Sequence, residues 1–161
     1  MTRTRTVAGG TGSLADYLDK RHIHPRAQAA TRDELLESLA GGLHAAGALG
    51  DVRAFVRAVR LRMTQGANGF HGIALLTARS RAVNGPAAAF ARVPSELGWR
   101  GADDRPVRDV FLLAAPRKLR DAGCVRAYSV LARHTAHPGF RRMLAAARTT
   151  DDLYDLFRLI R

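Results

Sequence analysis

The stretch that most restricts how this chain can fold opens at a glycine-bearing loop, Gly66, Asn68 and Gly69, and passes through Phe70-His71-Gly72 into Ile73-Ala74-Leu75-Leu76. A run this short and this apolar reads as a buried strand. The sequence turns polar at Thr77, Arg79 and Ser80, which predicts that the strand stops at Leu76 and feeds a loop. Such strand ends are where open α/β sheets place their chemistry. Ala87–Val93, introduced by Asn84-Gly85-Pro86, reads as a second strand of the same kind, and Val107–Ala115 (VRDVFLLAA) as a third, apolar enough for a sheet interior. Arg21–Ala27 alternates loosely and predicts another strand, held at an edge by Pro25.

Helical periods separate these runs. Leu14–Leu18 suits a short helical turn. Thr31 and Glu34 form a capping box ahead of Leu35, Leu36, Leu39 and Leu43, and Gly47 closes that segment. Asp51 caps a second helix with the stripe Val52, Phe55, Val56 and Val59. Near the C-terminus, Asp121–His134 places Val125, Tyr128 and Leu131 on one face. Pro138 opens a helix with Phe140, Met143 and Leu144 inside, and Thr149 or Thr150 caps a last one with Leu153, Leu156, Phe157 and Ile160. Strands alternating with helices predict an α/β domain with a mixed, partly parallel sheet flanked by helices on both faces. Residues 1–13 are rich in Thr, Arg and Gly and read as a disordered tail, leaving 14–161 as a single domain.

Composition narrows the function classes. The lone cysteine, Cys124, excludes an internal disulfide framework and suits a reducing cytoplasm. No apolar run has the length of a membrane span, and Met1-Thr2-Arg3-Thr4-Arg5 is not followed by the apolar segment of a signal peptide; a soluble cytoplasmic protein is expected. The net charge of +12 attracts acidic partners or nucleic acid in principle. The arginines are scattered, however, with none of the aromatic interleaving that single-strand binders use for stacking, so a basic solvated surface is the better reading than a nucleic-acid interface.

Several motifs together resemble the type-2 enzyme IIA domain of the bacterial sugar phosphotransferase system, in its mannitol, fructose and nitrogen-related branches. Gly72-Ile73-Ala74 matches the start of the family signature G-I-A-I/V-P-H. Glu96–Val107 is similar to the W-x-x-x-D-G-x-P-V connection, Val110–Pro116 to the V-F-L-L/I-A-x-P strand, and Leu131–Arg133 with His137–Arg141 and Ala146–Asp152 to the final two helices. The resemblance implies a mannitol-specific-like fold. It also implies that Thr77 stands at the phosphoacceptor histidine, that the second family histidine falls on or beside Cys124, and that the family arginine is Arg60 or Arg62. A non-phosphorylatable regulatory protein follows, a pseudo-phosphocarrier tied to sugar transport. It would bind a protein partner or a small anionic ligand through Arg60, Arg62, Thr77, Arg79 and Tyr128, with no cofactor. The family's usual carrier partner presents a basic docking face, which this positive chain would repel.

The alternative is a scaffold repurposed as a small-molecule enzyme, for example in a biosynthetic pathway, with Cys124, His71 and Thr77 as its reactive groups. Arg117, Lys118 and Arg120 near the start of the helix would lower the Cys124 pKa. His71 lies six residues before Thr77, roughly 20 Å away along an extended chain, and reads as a pocket-edge or surface side chain. His22 and His24 would share one side of a strand, but without a third ligand they read as a solvated pair, so no metal is expected. His134 and His137 sit at a helix end, where imidazolium favours the dipole. Nothing raises kinase phosphorylation of Thr77 or Ser80 above background.

Overall fold

The computed structural model describes residues 12–65 and 69–161. Most of the expected tail therefore lies outside the described residues, but Ser13, placed at its end, is buried. Its hydroxyl accepts from the Ala15 N–H, opening a 3-10 turn over Leu14–Asp16, and donates to the carbonyls of Phe157 and Arg158. The two ends of the domain are tied together there, with the Leu14 N–H on the Ile160 carbonyl at 2.9 Å.

Four strands form one mixed sheet in the order β1-β3-β4-β2: β1 (Ile23–His24), β2 (Ile73–Ser80), β3 (Ala87–Arg92) and β4 (Asp109–Pro116). β1 runs parallel to β3 and β2 parallel to β4, while β3 and β4 are antiparallel. β4 lies in the middle and is buried from Asp109 to Ala115, as its unbroken apolar run requires. Helices α1 (Arg32–Ala45) and α2 (Val52–Thr64) cover the face carrying Ala74, Leu76 and Ala78. Helices α3 (Ala122–Thr135), α4 (Pro138–Ala146) and α5 (Thr150–Arg158) cover the other. There Phe90, Phe111 and Phe157 meet with ring centroids 5.0–5.4 Å apart, contacts worth about 0.5–1.5 kcal/mol each beyond the area they bury. The mixed α/β architecture with helices on both faces is the expected one.

Several local expectations need correction. The first strand shrinks to Ile23–His24, because Asp19 caps a 3-10 turn over Lys20–His22. His22 is consequently buried and His24 exposed, so they are not a solvated pair on one side of a strand. β2 does not end at Leu76: its pairing with β4 continues from Ile73↔Asp109 to Ser80↔Pro116, and β-branched Thr77 sits comfortably inside it. On α3 the buried side is Cys124, Ala127, Val130 and Leu131, leaving Val125 43% exposed, and on α4 Met143 also faces out. Thr31 caps α1 as expected by accepting from the Glu34 N–H, but the Glu34 carboxylate reaches past it to the Ala30 N–H.

Candidate functional site

A cleft of about 610 Å³ opens at the C-terminal ends of the parallel pair β2 and β4, where open α/β sheets bind ligands. β2 contributes Thr77, Ala78 and Arg79, and β4 contributes Leu113 and Ala115. From one face of the sheet α2 adds Ala58, Leu61 and Arg62; from the other α3 adds Val125, Tyr128 and Ser129, with Leu119 from the loop before it. Because β2 is the last strand of the sheet among the described residues, the cleft lies along its outer edge.

The structure thus brings together Thr77, Arg62, Arg79 and Tyr128. It separates Arg60, which turns back to α1 and pairs with Asp33 at 3.1 Å and Glu37 at 3.6 Å; of the two arginines left open by the sequence, Arg62 is the one at the cleft. Arg62 and Arg79 make no ion pair among the described residues, and no carboxylate lines the cleft. The site is therefore a partly apolar trough carrying uncompensated positive charge.

His71 does not reach it. The loop before β2 is pinned at the opposite end of the strand, where Gly69 fits against Val107 so closely that a Cβ would lie 2.8 Å from it. His71 adopts a left-handed conformation, φ 55°, and its N–H donates to Asp103 Oδ2 at 2.9 Å. Its ring lies edge-on to Phe70, with Nδ1 buried and unpartnered.

Cys124 lies behind the cleft wall, fully buried, and is a hydrogen-bonding neighbour of Tyr128, whose hydroxyl donates to the Ala114 carbonyl at 3.1 Å. Burial pushes the thiol up to about 11, outweighing the Tyr128 hydrogen bond and the distant charge of Arg79, while Asp121 adds to the rise. The lowered pKa expected from Arg117, Lys118 and Arg120 is not found: burial raises it, and Asp121, which caps α3 by accepting the Cys124 N–H at 3.0 Å, adds to the rise. Alkylation of native Cys124 at pH 8 is expected to be at least about 100-fold slower than in the denatured chain. Equal rates, read by timed labelling and mass spectrometry, would contradict this placement.

Sequence reasoning missed Leu61, Val125, Leu119 and Ser129. Leu61 carried a signal: it stands outside the α2 stripe of Phe55, Val56 and Val59, on a face otherwise studded with arginine, and is 61% exposed. Among the described residues no group of three or more His, Cys, Asp or Glu is arranged to hold a metal, and no helix is long and apolar enough to cross a membrane.

Comparison with known proteins agrees with this geometry. The fructose-specific EIIABC component of the phosphotransferase system from Bacillus subtilis (strain 168) is 26% identical over 144 residues, covering 89% of this chain but 22% of that protein. The chain thus spans about a fifth of the length of that relative. The crystal structure of nitrogen regulatory protein IIA-Ntr from Neisseria meningitidis superposes with a TM-score of 0.78 at 19% identity, covering 89% of this chain and 98% of that one. IIA mannitol from Escherichia coli superposes at 0.62 with 20% identity, covering 85% and 96%. The family described as "Phosphoenolpyruvate-dependent sugar phosphotransferase system, EIIA 2" matches residues 16–159, and to that family the chain belongs.

Proposed function

We propose that this protein is a phosphotransferase-system EIIA of type 2 that does not carry a phosphoryl group, and that it acts by binding a partner or a small anionic ligand in the cleft. The observation that carries the reading is the lining itself: two unpaired arginines and no histidine or carboxylate beside Thr77. A relay needs a nucleophile that accepts and releases phosphoryl with little loss of transfer potential. Neutral imidazole supplies a free lone pair near pH 7. A threonine hydroxyl needs a separate base, and its phosphate ester is too stable to pass onward. By the family resemblance the other histidine position falls on or beside Cys124, a buried thiol whose pKa burial raises.

A protein partner is in keeping with the solved complex of Escherichia coli enzyme IIAMTL with phosphorylated enzyme IIBMTL, whose IIA shares this fold. The net charge of +12 favours an acidic partner over a basic carrier face. The reading as a repurposed enzyme has less support: of Cys124, His71 and Thr77 only Thr77 lines the cleft, His71 lies at the other end of β2, and Cys124 is buried with its thiol pKa raised.

Incubation with the general phosphocarrier, its phosphoenolpyruvate-dependent kinase and labelled donor tests the reading. No label is expected on the protein. Stoichiometric phosphohistidine would overturn it.

A further inference from the structure

We propose that the free edge of β2 is a docking strand that takes up an extended, acidic segment of a protein partner by strand addition, in the groove between α2 and α3. The inference rests on the reading of the cleft as a binding site and specifies how a protein is held there.

The main chain of β2 shows which groups are available. The Gly72 carbonyl accepts from the N–H groups of Arg108 and Asp109 at 2.8 and 3.1 Å, so it points toward β4. Ile73 turns the other way, and both its N–H and its C=O pair with Phe70. Main-chain groups alternate sides along a strand, so Leu75, Thr77 and Arg79 direct theirs away from β4. Beyond Ile73 no described strand or bridge pairs with that side of β2.

Proteins blunt such an edge with a bulge, a proline, a charged side chain or a short strand. β2 is eight residues long, carries no proline, and has one charged side chain, the exposed Arg79 near its end. Its edge is flanked instead by two exposed apolar side chains from opposite faces of the sheet, Leu61 at 61% and Val125 at 43%. A free ladder with an apolar side chain above and below is the arrangement that strand addition uses. Main-chain hydrogen bonds supply the affinity, and alternate side chains of the guest meet the two faces.

Charge selects the occupant. Arg62 and Arg79 stand along the groove without ion-pair partners or acidic neighbours in the lining. A second copy of this chain would bring +12 against +12 and set the same arginines against each other. Residues 1–11 of the chain contain Arg3 and Arg5 and no carboxylate, so their composition offers the two arginines no complementary charge. An extended segment alternating apolar and acidic residues satisfies the ladder, the two apolar flanks and both arginines together.

The test uses the full chain with two synthetic peptides of equal length, one alternating valine with glutamate and one alternating valine with lysine. Amide hydrogen exchange is followed by NMR with each peptide at millimolar concentration and low salt. The acidic peptide is expected to slow exchange at Leu75, Thr77 and Arg79 about tenfold, with the effect lost in Arg62→Glu/Arg79→Glu and weakened by added salt. The proposal is overturned if the acidic peptide leaves these amides unchanged, if it protects amides elsewhere, or if the lysine peptide does as well. It is equally overturned if the edge is already protected without peptide and is released by deleting residues 1–11 or by dilution of a dimer. Phosphorylation by the carrier system would sink the proposed function while leaving this exchange result intact.

Discussion

Arg92→Ala is expected to lower the stability of the fold by about 3–5 kcal/mol, a fall in melting temperature of roughly 10 °C for a domain of this size. Arg92 is the clasp between the sheet and α4. Its Nε donates to Asp109 Oδ1 at 2.8 Å, and its two terminal nitrogens donate to the carbonyls of Leu144 and Ala147, at the end of α4. The pair is largely enclosed, with side chains 17% and 12% exposed. Burial holds the Asp109 carboxyl above its ordinary range even against the pull of Arg92, a sign that desolvation outweighs the attraction between the two. Removing the arginine leaves that carboxylate buried without its partner and strands two helix-terminal carbonyls. The pH dependence has a definite sign. A carboxyl whose folded pKa lies above its unfolded one binds protons more tightly in the native state, so its contribution to stability rises as pH falls through the folded value. Loss of Arg92 raises that value further, and the deficit of Arg92→Ala should shrink in mild acid, where Asp109 takes up a proton. Arg92→Lys should fall between wild type and alanine, since one ammonium cannot serve all three acceptors. Urea titrations at two pH values decide it; a deficit below about 1 kcal/mol at neutral pH would mean the clasp is only a surface pair.

The framework was legible because its parts carry strong local signals. The β4 run from Val110 to Ala115 has no polar residue to turn toward water, which leaves the middle of a sheet as its place. Thr31, Asp51 and Thr149 each accept the expected amide at a helix start. The failures share a different cause. Leu75, Leu76 and Thr77 look like the close of a strand, but ladder bonds to β4 carry the chain on to Ser80; pairing with a segment more than thirty residues away is invisible to a local period. Val125, Tyr128 and Leu131 share one face by local period, but burial is set by which side of α3 meets the sheet: Leu131 is buried and Tyr128 packs against the core, while Val125 is exposed. Cys124 and Ala127, small enough to approach it, took that side. The site was half readable for the same reason. Thr77, Arg79 and Tyr128 lie on elements whose order the sequence reveals, whereas choosing between Arg60 and Arg62 needed the acidic residues Asp33 and Glu37 of α1, which claim Arg60.

Thr77→His is expected to give a chain labelled with a phosphoryl group at that position, because the proposed non-carrier cleft already sets two arginines beside it. The position is half-buried on β2, in a space of about 610 Å³, with Arg62 and Arg79 free to meet phosphate oxygens. An arginine fork and a second cation stabilise the charge that develops during phosphoryl transfer, and burial beside two guanidinium groups favours the neutral form of an introduced imidazole, which leaves its lone pair free at neutral pH. Phosphoramidate is the donor to use first, since a small donor needs no docking surface and the strongly positive chain would disfavour a basic carrier. Peptide-resolved mass measurement should show a phosphoryl group at position 77 of the variant and none there in the parent, labile in acid and stable in base as a phosphoramidate bond requires. Substituting Arg62 and Arg79 by glutamine in the same background should slow the labelling by about tenfold or more. With the protein carrier as donor, labelling should be far weaker than with phosphoramidate and should improve when the chain's surface charge is reduced. If the histidine variant folds and phosphoramidate still leaves it unlabelled, the trough beside β2 is not a phosphoryl site. Thr77 would then mark a surface that serves partners alone.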